Sequence, residues 1–427
     1  MAGQSFQLST AQSLLDANAE VQRCVHCGYC LEHCPTRDAG VFDVYGARGK
    51  MILFKEILEA GRFELLDKIF GDRVLNCALC NWCTSKCPES IPLTDIFVLA
   101  RYEAAKRGAV PRSVKKVADY VLRRGNPFGS LSHERVEWAD GLNLSNRGET
   151  VFFASCMGST MGYLELLDNT GISLETIIKM FDLFEKIRLD KPLRYLVWKI
   201  LRPNRAYNST LRKCVSILRS LGIEPAYLSR EEPCCGKPLH TYGLLDEFKQ
   251  HAGRVANLLR ARGVRRIIVN NPICMYTFKR LYPAFLGNFD VDVKHMVEVM
   301  LDGQAKVRRS GGEGRGLKIV YHDPCYMARY LSLVDEPRRL LESLGGAVLV
   351  EPERSKEKTY CSGDGGLEVT HPGAAHKVAM KRAAMLAETG ADIVATSCPA
   401  CIATLRIGLR RSGRRRGPAV VDVIDLL

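Results

Sequence analysis

The sequence predicts a small all-helical module followed by two α/β domains. Three observations lead there. One cysteine run is written twice near the N-terminus with helical sequence between the copies. Beyond it, short β-rich runs repeatedly end at a cysteine, and most of those runs are followed by a helical pattern. Strands alternating with helices argue for parallel sheets, whose functional groups gather at the carboxyl ends of strands.

The first element rests on two stretches. VQRCVHCGYCLEHCP at 21–35 holds Cys24, Cys27, Cys30 and Cys34 before Pro35, and CALCNWCTSKCP at 77–88 holds Cys77, Cys80, Cys83 and Cys87 before Pro88. In a C-x2-C-x2-C-x3-C-P run, three thiolates wrap one [4Fe-4S] cube and the fourth is carried to the other cluster. The expected ligand sets therefore cross. Cys24, Cys27, Cys30 and Cys87 hold one cluster, and Cys77, Cys80, Cys83 and Cys34 hold the second. A zinc ribbon would leave the third cysteine of each run and the trailing Cys-Pro without a role. Between the runs, Ile52, Leu53, Ile57 and Leu58 recur at helical spacing, and Ile96 to Lys106 reads as a closing helix. These readings give a helical dicluster ferredoxin module at 1–109. Pro111, NPFG at 126–129 and the charged 135–140 then read as a linker with short helical pieces, at 110–149.

Composition fits an intracellular redox protein. Seventeen cysteines in 427 residues is an odd number in a long chain, which points to ligands rather than a disulfide scaffold. The first twenty residues lack the basic start and apolar core of a signal peptide, and no apolar run reaches about 18 residues. A cytoplasmic protein is expected, at the inner face of the membrane through a partner subunit, with peripheral membrane association through a helical insertion at about 160–208 as an alternative to that insertion's capping role. The formal charge of +14 falls to about +10 once two anionic clusters are counted. That surface suits an acidic partner or anionic lipid. No helix-turn-helix, zinc-finger or RNA-binding signature supports nucleic acid.

The second and third elements come from the other cysteines. TVFFASC delivers Cys156, RIIVNNPIC delivers Cys274, LKIVYHDPC delivers Cys325, and ADIVATSCPAC delivers Cys398 and Cys401. They describe a degenerate repeat. In one copy Cys156 is followed by Cys234-Cys235-Gly236 and Cys274; in the other, Cys325 is followed by Cys361-Ser362-Gly363, Cys398 and Cys401. Two similar domains are expected, at 150–303 and 318–427, joined at 304–317 through GGEGRG. The first copy is longer by about 40 residues, a helical insertion at about 160–208.

Both Cys-Pro runs, CCGKPLHTYG at 234–243, YHDPCYMARY at 321–330 and GADIVATSCPAC at 390–401 together resemble the cysteine-rich "CCG" iron–sulfur oxidoreductases, the D-type polypeptide of heterodisulfide reductase among them. The resemblance covers almost the whole chain. It implies an electron-transfer subunit working with a membrane cytochrome or a flavoprotein, on a disulfide, a thiol-bearing carrier or a similar two-electron substrate. Relatives in the same family imply a second reading, the iron–sulfur subunit of a flavin-dependent 2-hydroxyacid or glycerol-3-phosphate dehydrogenase. A third reading is a binding or scaffold protein with only the ferredoxin module redox-active. The full family pattern offers five thiolates per domain. Here Thr277 stands at the last position of the first copy and Ser362 at the third of the second. Four thiolates per domain suit an ordinary cluster or zinc.

Other residues are read as follows. Cys214 is in phase with Leu211, Leu218 and Leu221 and reads as a core thiol. His322 and Asp323 either tune a cluster or cap a turn. His240 is expected on the surface, and Gly363, Gly365 and Gly366 let backbone amides approach cluster sulfurs. The insertion reads as a helical hairpin capping its own domain, and the basic run 405–417 as a solvated loop.

Overall fold

The computed structural model describes residues 11, 13–40, 42–66, 71–303, 316–343, 345–414 and 417–427. The expected join at 304–317 lies almost wholly outside the described residues. In the helical N-terminal region, α1 (Ala47–Ala60) buries Ala47, Lys50, Met51, Phe54 and Ile57 along one stripe and ends at left-handed Gly61. Ile52, expected on that stripe, is 38% exposed. Helix α2 (Leu93–Lys106) is buried over most of its circumference. It lies between α1 and the first α/β domain, in one apolar core that joins Phe54 and Phe97 to Phe153, Phe248 and Ile267. An apolar helix without a polar face is what such a central position requires.

The stretch expected as a linker is more ordered than its turn residues suggest. It carries the 13-residue helix α3 (Arg112–Arg124), and Trp138 is buried against Phe152 and Tyr227. Its Pro and Gly residues mark helix ends: Pro111 precedes α3 and left-handed Gly125 closes it.

Two parallel sheets follow. Strands β1 (Thr150–Phe153), β2 (Arg266–Val269) and β3 (Asp292–His295) lie in that order. Strands β4 (Lys318–Tyr321), β5 (Val348–Val350), β6 (Ile393–Thr396) and β7 (Ala419–Asp422) are ordered β5-β4-β6-β7. All pairings are parallel. An isolated parallel bridge from Ala226 to Val151 occupies the place in the first sheet that β5 takes in the second. The cysteine repeat is thus a repeat of backbone. β1, β2 and β3 correspond to β4, β6 and β7, and Cys156, Cys274, Cys325 and Cys398 each follow a strand's carboxyl end. The sheets share a core in which Phe152, Ile268 and Cys214 meet Ile319, Tyr321 and Val423. Cys214 is fully buried there, as its phase predicts.

Between β1 and β2 the insertion forms α4 (Gly162–Thr170), α5 (Leu174–Lys186) and α6 (Asp190–Leu201), continuing into α7 (Arg205–Ser220). It does more than cap its own domain. Asp182, Glu185 and Asp190 pair with Arg112, Lys116 and Arg124 of α3, while Glu165 and Asp168 pair with Arg406, Arg410 and Arg411. Those last arginines correct an expectation. As far as Arg411 the run from Leu405 is no solvated loop, because helix α8 (Pro399–Arg411) extends into it with α4 carboxylates as partners.

His295 ends β3 and caps the following helix, its Nδ1 accepting the Val297 amide. Burial pushes it down from 6.5 to about 4. Its folded value is depressed, so the fold is undisturbed above pH 6.5 and loses stability as pH falls towards 4, by about 3 kcal/mol from this group. Denaturant titrations across that range should show the loss, and His295→Gln should reduce it.

Candidate cluster sites

The two Cys-Pro runs fold alike. His26 and Leu79, two residues after the first cysteine of each run, are left-handed at φ 55° and 47°. Gly28 and Asn81, two residues further on, are left-handed at φ 89° and 63°. These two reversals curl each run so that its first three cysteines face one side. Glycine takes such a φ freely, and asparagine is among the residues that tolerate it best. One small cavity is lined by Cys24, Cys27, Cys30 and Cys87, with Arg48 and Pro88. A second is lined by Cys34, Cys77, Cys80 and Cys83, with Cys30 and Lys50. The structure therefore gathers the crossed sets that the spacing predicts. Cys27 is exposed, whereas Cys80 and Cys83 are buried.

The chemistry of these cavities fits an anionic group. Lys50 is 1% exposed and donates to the Tyr45 carbonyl, and burial lowers its pKa. Buried Arg101 donates to the Val74, Cys77 and Thr241 carbonyls. Two buried cations beside four thiols are expensive in an apolar interior unless negative charge joins them. A thiolate-bound cubane of about −2 supplies it. Lys50→Met should therefore lower the potential of the buried cluster by on the order of 100 mV while leaving iron content intact, as read by a spectroscopic redox titration. Sequence reasoning missed Lys50. The signal was a lysine in phase with Ala47, Met51 and Phe54 on an apolar stripe.

In the first α/β domain, Cys156 donates to Cys234 and Cys274 to Cys235, each at 3.5 Å. The hydrogen bonds from Cys234 and Cys274 draw the Cys235 thiol well below its ordinary range; Cys274 is held up by its bond to Cys235, and Cys234 first by its bond with Cys156 and then by its bond to Cys235. Thr277 is fully buried, donates to the Ile273 carbonyl at 2.7 Å and reaches Cys235. In the second domain Cys361 draws down the Cys325 thiol in the same way. Ser362 donates to Cys401 at 3.3 Å, and Cys398 immediately precedes α8, with Cys401 in its first turn. The hydrogen bond with Cys398 and burial hold the Cys401 thiol well above its ordinary range. Each domain thus brings together four cysteines and one hydroxyl at all five family positions. Among the described residues, no group of three or more His, Cys, Asp or Glu side chains is placed to hold a single metal ion.

The glycines behave as expected in part. Gly363, at φ 99°, donates its amide to Cys361 Sγ at 3.4 Å, and Gly236 does the same for Cys234. Gly365 serves another purpose: a Cβ there would lie 2.1 Å from the Ala78 carbonyl oxygen, so it lets the ferredoxin region and the second domain touch. Among the described residues, neither His322 nor Asp323 is hydrogen-bonded to a cysteine side chain. His322 accepts from Arg382 at 3.1 Å, and Asp323 makes a bidentate pair with Arg338 while capping the Lys356 amide. His240 is not on the surface; it is 3% exposed, with Lys237 Nζ 3.2 Å from its Nδ1. Lys237 also donates to Thr241, and burial lowers it to about 7.

The sites are linked through packed side chains. Cys80 and Cys361 belong to one buried apolar group with Ala78, Trp82 and Tyr360. Arg329 donates to the Cys80 carbonyl at 2.6 Å and Tyr330 to the Leu79 carbonyl at 2.7 Å. Tyr330 stacks on Tyr326, beside Cys325, at 4.7 Å, and both rings meet Tyr276, two residues after Cys274. A cavity of about 360 Å³ opens nearby. Its mostly apolar wall includes Met157, Phe181, Tyr242, Gly363 and Ile407, so Gly363 joins the cavity to Cys361.

Comparison with known proteins agrees with this layout. Residues 199–279 and 319–406 match the cysteine-rich domain family CCG, and residues 20–91 match the 4Fe-4S dicluster domain. The chain is 25% identical to the D-type polypeptide of dihydromethanophenazine:CoB–CoM heterodisulfide reductase from Methanosarcina barkeri, over 96% of this chain and 93% of that one. It is 28% identical to a polypeptide of the fumarate reductase (CoM/CoB) of Methanothermobacter marburgensis, covering 96% and 72%. With EtfAB:quinone oxidoreductase of Syntrophomonas wolfei it shares 24% identity, covering 96% and 58%.

Proposed function

We propose, on the premise that this chain is an iron–sulfur electron-transfer protein combining a 4Fe-4S dicluster domain with two cysteine-rich domains, that it is the subunit of an oxidoreductase complex that passes electrons between a surface site and a two-electron substrate. The observation that carries this reading is that Cys80 and Cys361 share one buried apolar group with Ala78, Trp82 and Tyr360. Clusters bound by the cysteine sets supply the one-electron steps. The exposure and packing of the chain's own residues support one order. Exposed Cys27 marks the set where a membrane cytochrome or flavoprotein partner exchanges electrons, and the buried set of Cys34, Cys77, Cys80 and Cys83 follows. Cys80, held by Arg329, abuts the second cysteine-rich site, and Tyr326, Tyr330 and Tyr276 bridge that site to the first. We assign to each cysteine-rich site one further cluster, on Cys156, Cys234, Cys235 and Cys274 and on Cys325, Cys361, Cys398 and Cys401.

The 360 Å³ cavity is where a disulfide or similar two-electron substrate meets the second site, with the Gly363 amide orienting Cys361. The hydroxyls at Thr277 and Ser362 favour a second reading in which the cysteine-rich sites only relay electrons to another subunit. Stopped-flow oxidation of the anaerobically reduced protein separates the two. Direct oxidation by a small disulfide, lost in Cys361→Ser while the N-terminal clusters remain reducible, supports substrate chemistry on this chain. Oxidation only by a partner subunit supports the relay.

A further inference from the structure

The hairpin of α5 and α6 has one face that its own fold leaves uncovered. Nine of the fifteen large hydrophobic side chains exposed among the described residues lie between Ile172 and Leu201. Met180, Leu183 and Ile187 are spaced three and four apart along α5, and Leu196 and Ile200 four apart along α6. Each row therefore lies on one side of its helix. Leu183, Ile187, Leu196 and Ile200 are all more than half exposed. The inner face is already satisfied, because Ile177, Ile178 and Phe181 roof the 360 Å³ cavity and Arg194 stacks on Phe181 and Tyr120.

Charge divides the same way. Asp182, Glu185 and Asp190 turn inward onto α3, and Glu175 is paired with Lys179. Lys186, Arg188 and Lys191 at the turn, and Lys199 and Arg202 at the far end of α6, are exposed and have no acidic partner among the described residues. The outer face therefore joins an apolar patch to cations of one sign at both ends. A protein partner surface presents mixed and patterned charge, whereas a bilayer presents an apolar layer beneath a uniform anionic plane.

We propose that the outer face of the α5–α6 hairpin docks this protein directly on an anionic membrane surface, with Leu183, Ile187, Leu196 and Ile200 entering the headgroup boundary and the five cations meeting lipid phosphates. Contact is peripheral. No helix among the described residues is long and apolar enough to cross a membrane, and interfacial binding of this kind scales with buried apolar area plus attraction to anionic lipid. Docking places the roof of the cavity at the bilayer.

Sedimentation of the intact, anaerobically purified protein with vesicles tests this. Vesicles of equal parts phosphatidylglycerol and phosphatidylcholine should bind it, phosphatidylcholine alone should bind it weakly, and salt should release it. Lys186→Ser combined with Lys199→Ser should weaken binding by about fivefold for each cation removed. Ile187→Glu combined with Ile200→Glu should abolish binding, and iron content and melting temperature should be unchanged in both variants. Failure of the wild type to bind the anionic vesicles overturns the proposal, as does equal binding by the variants. Loss of a co-purifying membrane protein from the variants, without vesicle binding by the wild type, overturns it in favour of a protein partner.

Discussion

Cys87→Ser should remove the same cluster as Cys24→Ser, although the two residues belong to different cysteine runs. The first cavity carries Cys87 beside Cys24, Cys27 and Cys30, with Pro88 turning the chain away behind it. Cys34 lines the other cavity with Cys77, Cys80 and Cys83. A cubane that loses one of four thiolates keeps at best a hard oxygen ligand in its place, so each variant should lose about four iron per chain and one set of reduced-cluster signals. Cys34→Ser should then match Cys77→Ser and leave the Cys24 set intact. Electron paramagnetic resonance of the four variants decides it. Pairing of Cys87 with the Cys77 phenotype would mean that each run serves its own cluster. Electron entry should fail in all four variants, since both sets lie on one route.

Gly365→Ala should uncouple the N-terminal region from the second cysteine-rich domain without removing metal from either. The glycine has a φ of 93°, which costs an alanine about 1–2 kcal/mol, and its added Cβ would collide with the backbone oxygen of Ala78. Neither atom is the end of a flexible side chain, so the two surfaces must separate. Ala78 precedes Cys80, and Gly365 follows Cys361 closely, so separation opens the contact that electrons use. Transfer between the buried cluster and the second site should slow by more than about tenfold, and stability should fall by at least about 2 kcal/mol. Gly373→Ala is the control, because nothing lies within 4 Å of a Cβ there, and it should change neither quantity. An unchanged transfer rate in Gly365→Ala would mean that electrons leave the N-terminal region by another path.

What the sequence disclosed and what it withheld divide along physical lines. Cysteine spacing is local, so the two runs and their crossed sets could be read directly, as could strands that end at Cys156, Cys274, Cys325 and Cys398. The parallel order of those strands follows from alternation with helices. Long-range partners were not legible. Arg101 and Lys237 look like ordinary surface cations until the fold buries them, whereas Lys50 was betrayed only by its phase on an apolar stripe. The run at 405–417 looked solvated because its arginines have no local acids; Glu165 and Asp168 arrive from more than 200 positions away. His240 follows a turn and reads as exposed, yet Phe248 and Phe285 pack edge-on against its ring. The sequence at 110–149 was judged by its Pro and Gly, which delimit helix α3 rather than replace it.

The most direct test of the account is a count of iron and acid-labile sulfide per chain in protein purified without oxygen. About 16 iron with matching sulfide is the result predicted, one cluster for each of the four cysteine sets. About 8 iron, all lost when Cys24 and Cys77 are replaced together, would confine redox chemistry to the N-terminal region and contradict a route through Cys361.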